Sequence, residues 1–270
     1  MRPVYSKGVI AVALSIAGSD PSGGAGIQAD LKTFHQFGVY GEAVLTLLTV
    51  QNSRRVARVE CLAPEFVLEQ LEAVLEDIPP QAAKTGALGN IAILEAVAAR
   101  ARSFPFPLVV DPVMIGKHGA RLVAAGAALA LRDRLLPCAA LVTPNVPEAE
   151  ALTGLKIESL AQAREAARRI FDFGPAAVLV KGGHLPGDAT DVLFTGTEWH
   201  EFPAARIETR HTHGTGCTYS AAITAELAKG TPLPAAVARA KAFIGEAIRT
   251  NPGLGRGSGP VNHHARPSGS

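Results

Sequence analysis

The sequence predicts an α/β protein: three layers, with a mostly parallel sheet held between two sets of helices. Three observations carry that expectation. Short apolar runs of strand length alternate with longer stretches of helical period along most of the chain. The short runs are hydrophobic without interruption, as strands covered on both faces are. Polar residues gather just beyond their carboxyl ends, where open α/β sheets form their ligand crevice.

The strand candidates are residues 10–17, 43–50, 108–110, 140–142 and 177–180. Between them, residues 27–37, 65–77, 91–102, 122–135 and 161–173 repeat their apolar positions every three or four places, which marks one-sided helices. Asn145 and Pro147 fit the cap and first turn of a further helix. Residues 191–195 and 198–202 flank Gly196-Thr197 and read as a late antiparallel hairpin. Helices from Gly216 and Pro234 complete what is expected to be one domain over residues 1–262, with 263–270 a loose polar tail.

A chain of 270 residues lies close to the ~250 that one α/β domain commonly reaches. A formal charge of +2 with no Lys/Arg cluster argues against a nucleic-acid partner. There is no run of about 18 apolar residues for a membrane span and no signal-peptide pattern at the start. Cys61, Cys138 and Cys217 are odd in number and scattered, matching neither a disulfide framework nor a metal site. A reducing cytoplasm is the expected setting.

Chemistry concentrates at His213-Gly214-Thr215-Gly216-Cys217, which precedes a small apolar helical run. Its glycines allow a tight turn with bare N–H groups, and the helix dipole adds positive potential at the same place. That is a cradle for a phosphate or another oxyanion. Cys217 falls in the first helical turn, where the dipole is expected to lower a thiol pKa from about 8.5. A phosphate cradle containing an ionisable side chain suggests phosphoryl transfer. A cysteine hydrolase is the rival, with His213 as its base.

Other polar groups sit where strands end: Asp20, Gln51 with Asn52, Asp111, Asn145 and Lys181. The segment from Gly18 to Gly26 joins the first strand to a helix. Its Gly24-Ala25-Gly26-Ile27-Gln28-Ala29 spells a dinucleotide-binding pattern but lacks the ribose-binding acid about 20 residues on. These glycines are better suited to closing backbone over a small ligand. Asp30 projects within the apolar stripe of that helix, where a carboxylate must be paired or bonded. It either faces a buried lysine or accepts ligand hydrogen bonds at the pocket wall. Lys181-Gly182-Gly183-His184 brings a cation and exposed backbone to the rim. Asn145 and Glu148 suit a helix cap, a magnesium site, or both. The Walker and protein-kinase motifs are absent, so a nucleotide user of this type belongs to another fold.

Taken together, these motifs resemble the ribokinase-like superfamily, and within it the hydroxymethylpyrimidine/phosphomethylpyrimidine kinases. They are Ala17-Gly18-Ser19-Asp20-Pro21-Ser22-Gly23-Gly24-Ala25-Gly26-Ile27-Gln28-Ala29-Asp30, Gln51-Asn52, Asp111-Pro112-Val113-Met114, Thr143-Pro144-Asn145, Lys181-Gly182-Gly183-His184 and Thr212-His213-Gly214-Thr215-Gly216-Cys217. The resemblance implies a three-layer α/β/α kinase that phosphorylates a pyrimidine alcohol, and then its monophosphate, with ATP and Mg2+ in thiamine biosynthesis. It implies that Gln51, Asp30 and backbone near Gly18 bind the pyrimidine, and that Cys217 is the catalytic group. Gly214, Thr215 and Gly216 become the anion hole. Asn145, Lys181 and Lys117 face the nucleotide phosphates, and Glu148 with Asp111 holds magnesium, partly through water. Residues 114–119 would form a flap over ATP, and relatives of this kind commonly pair as homodimers. Thr85 and Ala87 stand where many members carry isoleucine and methionine, and Arg210-His211 where lysine-asparagine is common. These departures bear on substrate preference. The alternatives are a pyridoxal or pyridoxine kinase and a non-catalytic pyrimidine sensor.

Overall fold

In the computed structural model, which describes residues 10–114 and 126–267, one strand organises the sheet. This strand, β1 (Val12–Ser19), pairs in parallel with β2 (Tyr40–Asn52) on one side and β4 (Ala82–Thr85) on the other. From β4 the sheet continues in parallel through β5 (Leu108–Val110), β6 (Leu141–Val142) and β7 (Val178–Val180). The expected late hairpin, β8 (Asp191–Phe194) and β9 (Trp199–Phe202), closes that edge antiparallel. At the opposite edge β3 (Arg55–Cys61) folds back against β2. The chain thus winds outward from β1 in both directions, which opens a crevice beyond the carboxyl ends of the central strands.

Strand alternation explains the unbroken apolar runs. Leu14, Ile16, Leu108, Val110, Val178 and Val180 enter one core, with helices α2 (Pro64–Asp77), α3 (Ile91–Ala101), α5 (Val146–Thr153) and α6 (Leu160–Phe171). Their neighbours Ala13, Val109 and Leu179 enter the other core, with α1 (Gly26–Gln36), α7 (Thr215–Ala228) and α8 (Leu233–Arg249). Each side chain is apolar because each face is covered. The described part of the helix expected at 122–135 is α4 (Ala127–Ala130), which passes into a π turn at Leu131–Leu135.

Three expectations need correction. The second strand does not end near residue 50; it runs to Asn52 and turns into β3, whose Arg58–Glu60 pair is too polar to read as an apolar run. The strand β4 has only four residues, Lys84 among them, and is likewise absent from the apolar runs. The tail is not loose from residue 263. His263 is buried with Nε2 3.1 Å from Thr218 Oγ1, and Ala265 packs into the core of α7 and α8.

Asp30 is the fourth correction. Its Oδ1 lies 2.8 Å from Lys84 Nζ, and its Oδ2 accepts a hydrogen bond from Ser15 Oγ at 2.6 Å. Both members of the ion pair are fully buried between α1 and the sheet, so Asp30 answers a lysine on β4 and does not line the ligand cavity. Burial works against the charge on Lys84, and Asp30 together with Cys217 and Asp111 outweighs it, leaving the lysine pKa above its ordinary value. Breaking such a pair strands a charge in the interior. Lys84→Ala should therefore cost about 3–5 kcal/mol of unfolding free energy in urea titration, and the double change Asp30→Leu/Lys84→Met much less than the sum of its singles.

Candidate active site

A cavity of about 550 Å³ opens beyond the carboxyl ends of the central strands. On one wall is the turn that begins α7. Gly214 has φ +80°, and a Cβ there would overlap the carbonyl oxygen of Gly24, so a side chain fits neither the conformation nor the space. Thr215 turns back on Thr212, through both its amide (3.3 Å) and its hydroxyl (2.8 Å). The first bond along the helix runs from Thr218 N–H to the Gly214 carbonyl. The Gly216 and Cys217 amides precede it and have no helical acceptor, and both residues line the cavity. Gly214, Thr215 and Gly216 are therefore together at the wall, with the open amides contributed by Gly216 and Cys217.

Two elements hold this turn. Residues Gly259 and Val261 bracket His213, through His213 N–H to Gly259 O (3.0 Å) and Val261 N–H to His213 O (3.2 Å). From the other side, Asp20 Oδ2 lies 2.7 Å from His213 Nε2. The same carboxylate accepts the Ser22, Gly24 and Ala25 amides, so it folds the glycine-rich loop after β1 and ties that loop to the turn. Burial opposes the Asp20 charge, but the bonds from His213 and Ser22 outweigh it and hold the carboxyl below its ordinary value. His213 is thus committed to Asp20.

Cys217 lines the cavity, but its thiol is not activated. Burial pushes its pKa up to about 12; Lys84 and the Gly26 amide pull against this, while Asp30 and Asp111 add to it. The expected lowering by the helix dipole is overturned, because desolvation and two carboxylates outweigh it. A neutral thiol beside an engaged histidine does not suit a cysteine hydrolase.

Beside the turn stands a charged cluster: a Cβ on Gly216 would lie 3.4 Å from Lys181 Nζ and 3.6 Å from Asp111 Oδ2. Lys181 Nζ lies 3.1 Å from Asp111 Oδ1, and Asp111 also receives Thr143 and Ser220 hydroxyls, each at 3.3 Å. Asn145 and Glu148 form a capping box at the start of α5, their side chains reaching each other's backbone amides at 2.9 and 2.8 Å. Burial raises the Glu148 pKa to about 7; Lys181 pulls it down and Asp111 pushes it up. Among the described residues no three His, Cys, Asp or Glu side chains gather as a metal cage. Magnesium usually takes one or two carboxylates together with substrate phosphates, and a buried Asp111 beside a half-buried Glu148, the two repelling each other, fits a cation arriving with a nucleotide.

The remaining wall is less polar. Gly18, Gln51 and Ala87 line it, as expected, but so do Leu47 and Thr49. Sequence reading passed over these two, although a period of two counted back from Gln51 points to both. Thr49 donates to Ser19 O at 2.9 Å and Thr46 to Ala87 O at 2.7 Å, which fixes this wall. In the sequence Asp20 is only a strand-end acid; the structure makes it the joint between two loops. Lys117 and most of the expected flap at 114–119 lie outside the described residues.

A three-layer α/β/α fold that sets an anion-binding turn beside a lysine–carboxylate cluster in one cavity is that of a ribokinase-like small-molecule kinase. The chain belongs to the phosphomethylpyrimidine kinase family, whose model matches residues 20–262. The thiamine biosynthesis bifunctional protein ThiED of Geobacter sulfurreducens is 52% identical over 97% of this chain, which spans 53% of that protein. The hydroxymethylpyrimidine/phosphomethylpyrimidine kinase of Streptomyces coelicolor is 47% identical, over 93% of each chain. Among solved structures, the pyridoxal kinase of Staphylococcus aureus in complex with AMP-PCP and pyridoxal superposes with a TM-score of 0.87 at 37% identity, covering 95% of each chain.

Because Gly214 admits no side chain, Gly214→Ala should displace the turn while leaving both cores intact. A far-ultraviolet spectrum like that of the unaltered protein is expected, with kcat/KM reduced on the order of 10²-fold or more in a coupled kinase assay.

Proposed function

We propose that the protein phosphorylates 4-amino-5-hydroxymethyl-2-methylpyrimidine with ATP, and then its monophosphate, as a step of thiamine diphosphate biosynthesis. The observation that carries this reading is the gathering, in one cavity, of the Gly216/Cys217 amides and the adjoining Lys181/Asp111/Glu148 cluster. A phosphoryl group in transit needs anion-binding groups and charge neutralisation around it. The names of the S. coelicolor and G. sulfurreducens relatives support the substrate class.

In this reading Gln51 and the backbone at Gly18 bond the pyrimidine edge, against the apolar surface of Leu47 and Ala87. Asn145 and Lys181 face the nucleotide phosphates. Magnesium, held by Asp111 and Glu148 and partly through water, supplies further neutralisation of phosphate charge when bound. The hydroxymethyl oxygen bonds to the γ-phosphorus as the bond from that phosphorus to the β-bridging oxygen breaks, and ADP leaves. The hydroxyl proton passes to the Cys217 sulfur in its thiolate form, which becomes the thiol.

A base with a pKa of about 12 is scarcely ionised near neutrality, and its thiolate fraction grows tenfold per pH unit. With Cys217 as base, kcat should climb between pH 7 and 9, and Cys217→Ala should lose on the order of 10²-fold in kcat and the pH dependence with it. Steady-state kinetics on both pyrimidine alcohols and on pyridoxal test this reading. A flat profile in the unaltered protein removes Cys217 as the base. Pyridoxal is the second reading, favoured by the S. aureus structure that holds it; a higher kcat/KM for pyridoxal would reassign the substrate.

We further propose a homodimer in the cytoplasm. Cys61, Cys138 and Cys217 are free thiols, and among the described residues no helix is long and apolar enough to cross a membrane. Leu48 (47% exposed) and Val50 (58%) leave an apolar patch on the β2–β3 edge, the kind of surface a second copy covers. Val50→Glu should shift the mass measured by light scattering from two chains to one.

A further inference from the structure

Residues 181–189 carry Lys181, Gly183 and His184 of the cavity wall and then leave the site. Both ends of this loop are anchored from within. Gly182 N–H donates to Asp191 Oδ1 at 2.9 Å, and Asp191 Oδ2 is 2.8 Å from Lys241 Nζ. A side chain at Gly182 would overlap the Thr190 carbonyl, so this close approach requires glycine. At the far end, Lys241 Nζ donates to Ala189 O at 2.7 Å, and Ala189 N–H to Ala204 O at 2.8 Å. The middle of the loop has a different anchor. Arg206, an exposed residue outside the cavity, donates Nη1 to Gly183 O at 2.8 Å, Nε to Gly187 O at 2.9 Å and Nη2 to Leu185 O.

We infer that Arg206 is a positioning residue for the nucleotide, acting by turning the peptide planes of the 183–187 loop. In a trans peptide the carbonyl and the following N–H point in opposite directions. Drawing the Gly183 carbonyl out to Arg206 therefore turns the His184 amide the other way. One guanidinium collects three carbonyls because its donors are spread around a rigid plane. Arg206 also sits on the strap that runs from β9 to Thr212 and the anion turn, so the loop is fixed relative to that turn as well as to the sheet. This inference rests on the nucleotide reading given above.

The test uses Arg206→Ala, Arg206→Lys and, as a surface control, Arg169→Ala. Calorimetric titration with AMP-PCP and steady-state kinetics are measured on each. Both Arg206 variants should weaken AMP-PCP binding and raise KM for ATP about tenfold, the equivalent of one lost charge-assisted hydrogen bond. KM for the pyrimidine and the melting temperature should match the control. Unchanged nucleotide affinity in Arg206→Ala, full rescue by lysine, or a parallel rise in both KM values with a lowered melting temperature would each overturn the assignment. Failure of the unaltered protein to bind AMP-PCP would overturn the nucleotide reading itself.

Discussion

The N-terminal end of α7 faces the cavity, and its amides are not all satisfied by the chain. Residues Thr218 to Glu226 are buried without a break, while Gly214 to Cys217 are half-buried at the cavity wall. A helix N-terminus in such a place favours a negative group brought to it. The surroundings of the turn are arranged to keep that position open. Thr215 is turned back on Thr212, His213 is clamped between Asp20 and the 259–261 segment, and Gly214 is pressed against Gly24. Together these contacts leave the Gly216 and Cys217 amides for a ligand.

Charge around the cavity is distributed with similar economy. The fully buried Lys84–Asp30 pair lies behind the site, and Lys181 is shared between Asp111 and Glu148 at its rim. These groups act on one another and on Cys217. The thiol feels Lys84 as a favourable charge but Asp30 and Asp111 as unfavourable ones, and burial decides the balance. The same low polarity that protonates the thiol strengthens every interaction with a bound phosphate.

Much of this was legible in the sequence where the signal is local. The apolar runs located β1, β2, β5, β6 and β7, and the helical periods located the helices of both layers, because each reflects burial of contiguous residues. The turn at 213–217 was legible for the same reason, since a glycine pair ahead of a helix is a short-range pattern. Pairings across distance were not. Nothing in the spacing says that Asp30 meets Lys84 rather than a ligand, or that His213 meets Asp20, 193 residues away. The Cys217 pKa fails likewise: its dipole is local, but the carboxylates that join burial in raising it come from α1 and from the end of β5. The short β4 and the charged β3 were invisible because one offers too few residues and the other too many polar ones.

The capping box of α5 carries a consequence for how a cation is held. Glu148 spends Oε2 on the amide of Asn145, closing its own helix. A carboxylate engaged in that way has less to offer a cation, and Asp111 is already leaning on Lys181. In the proposed reading such a rim would grip a divalent ion only loosely by itself. Occupancy would then follow the triphosphate, the ion entering as its escort and departing with the diphosphate.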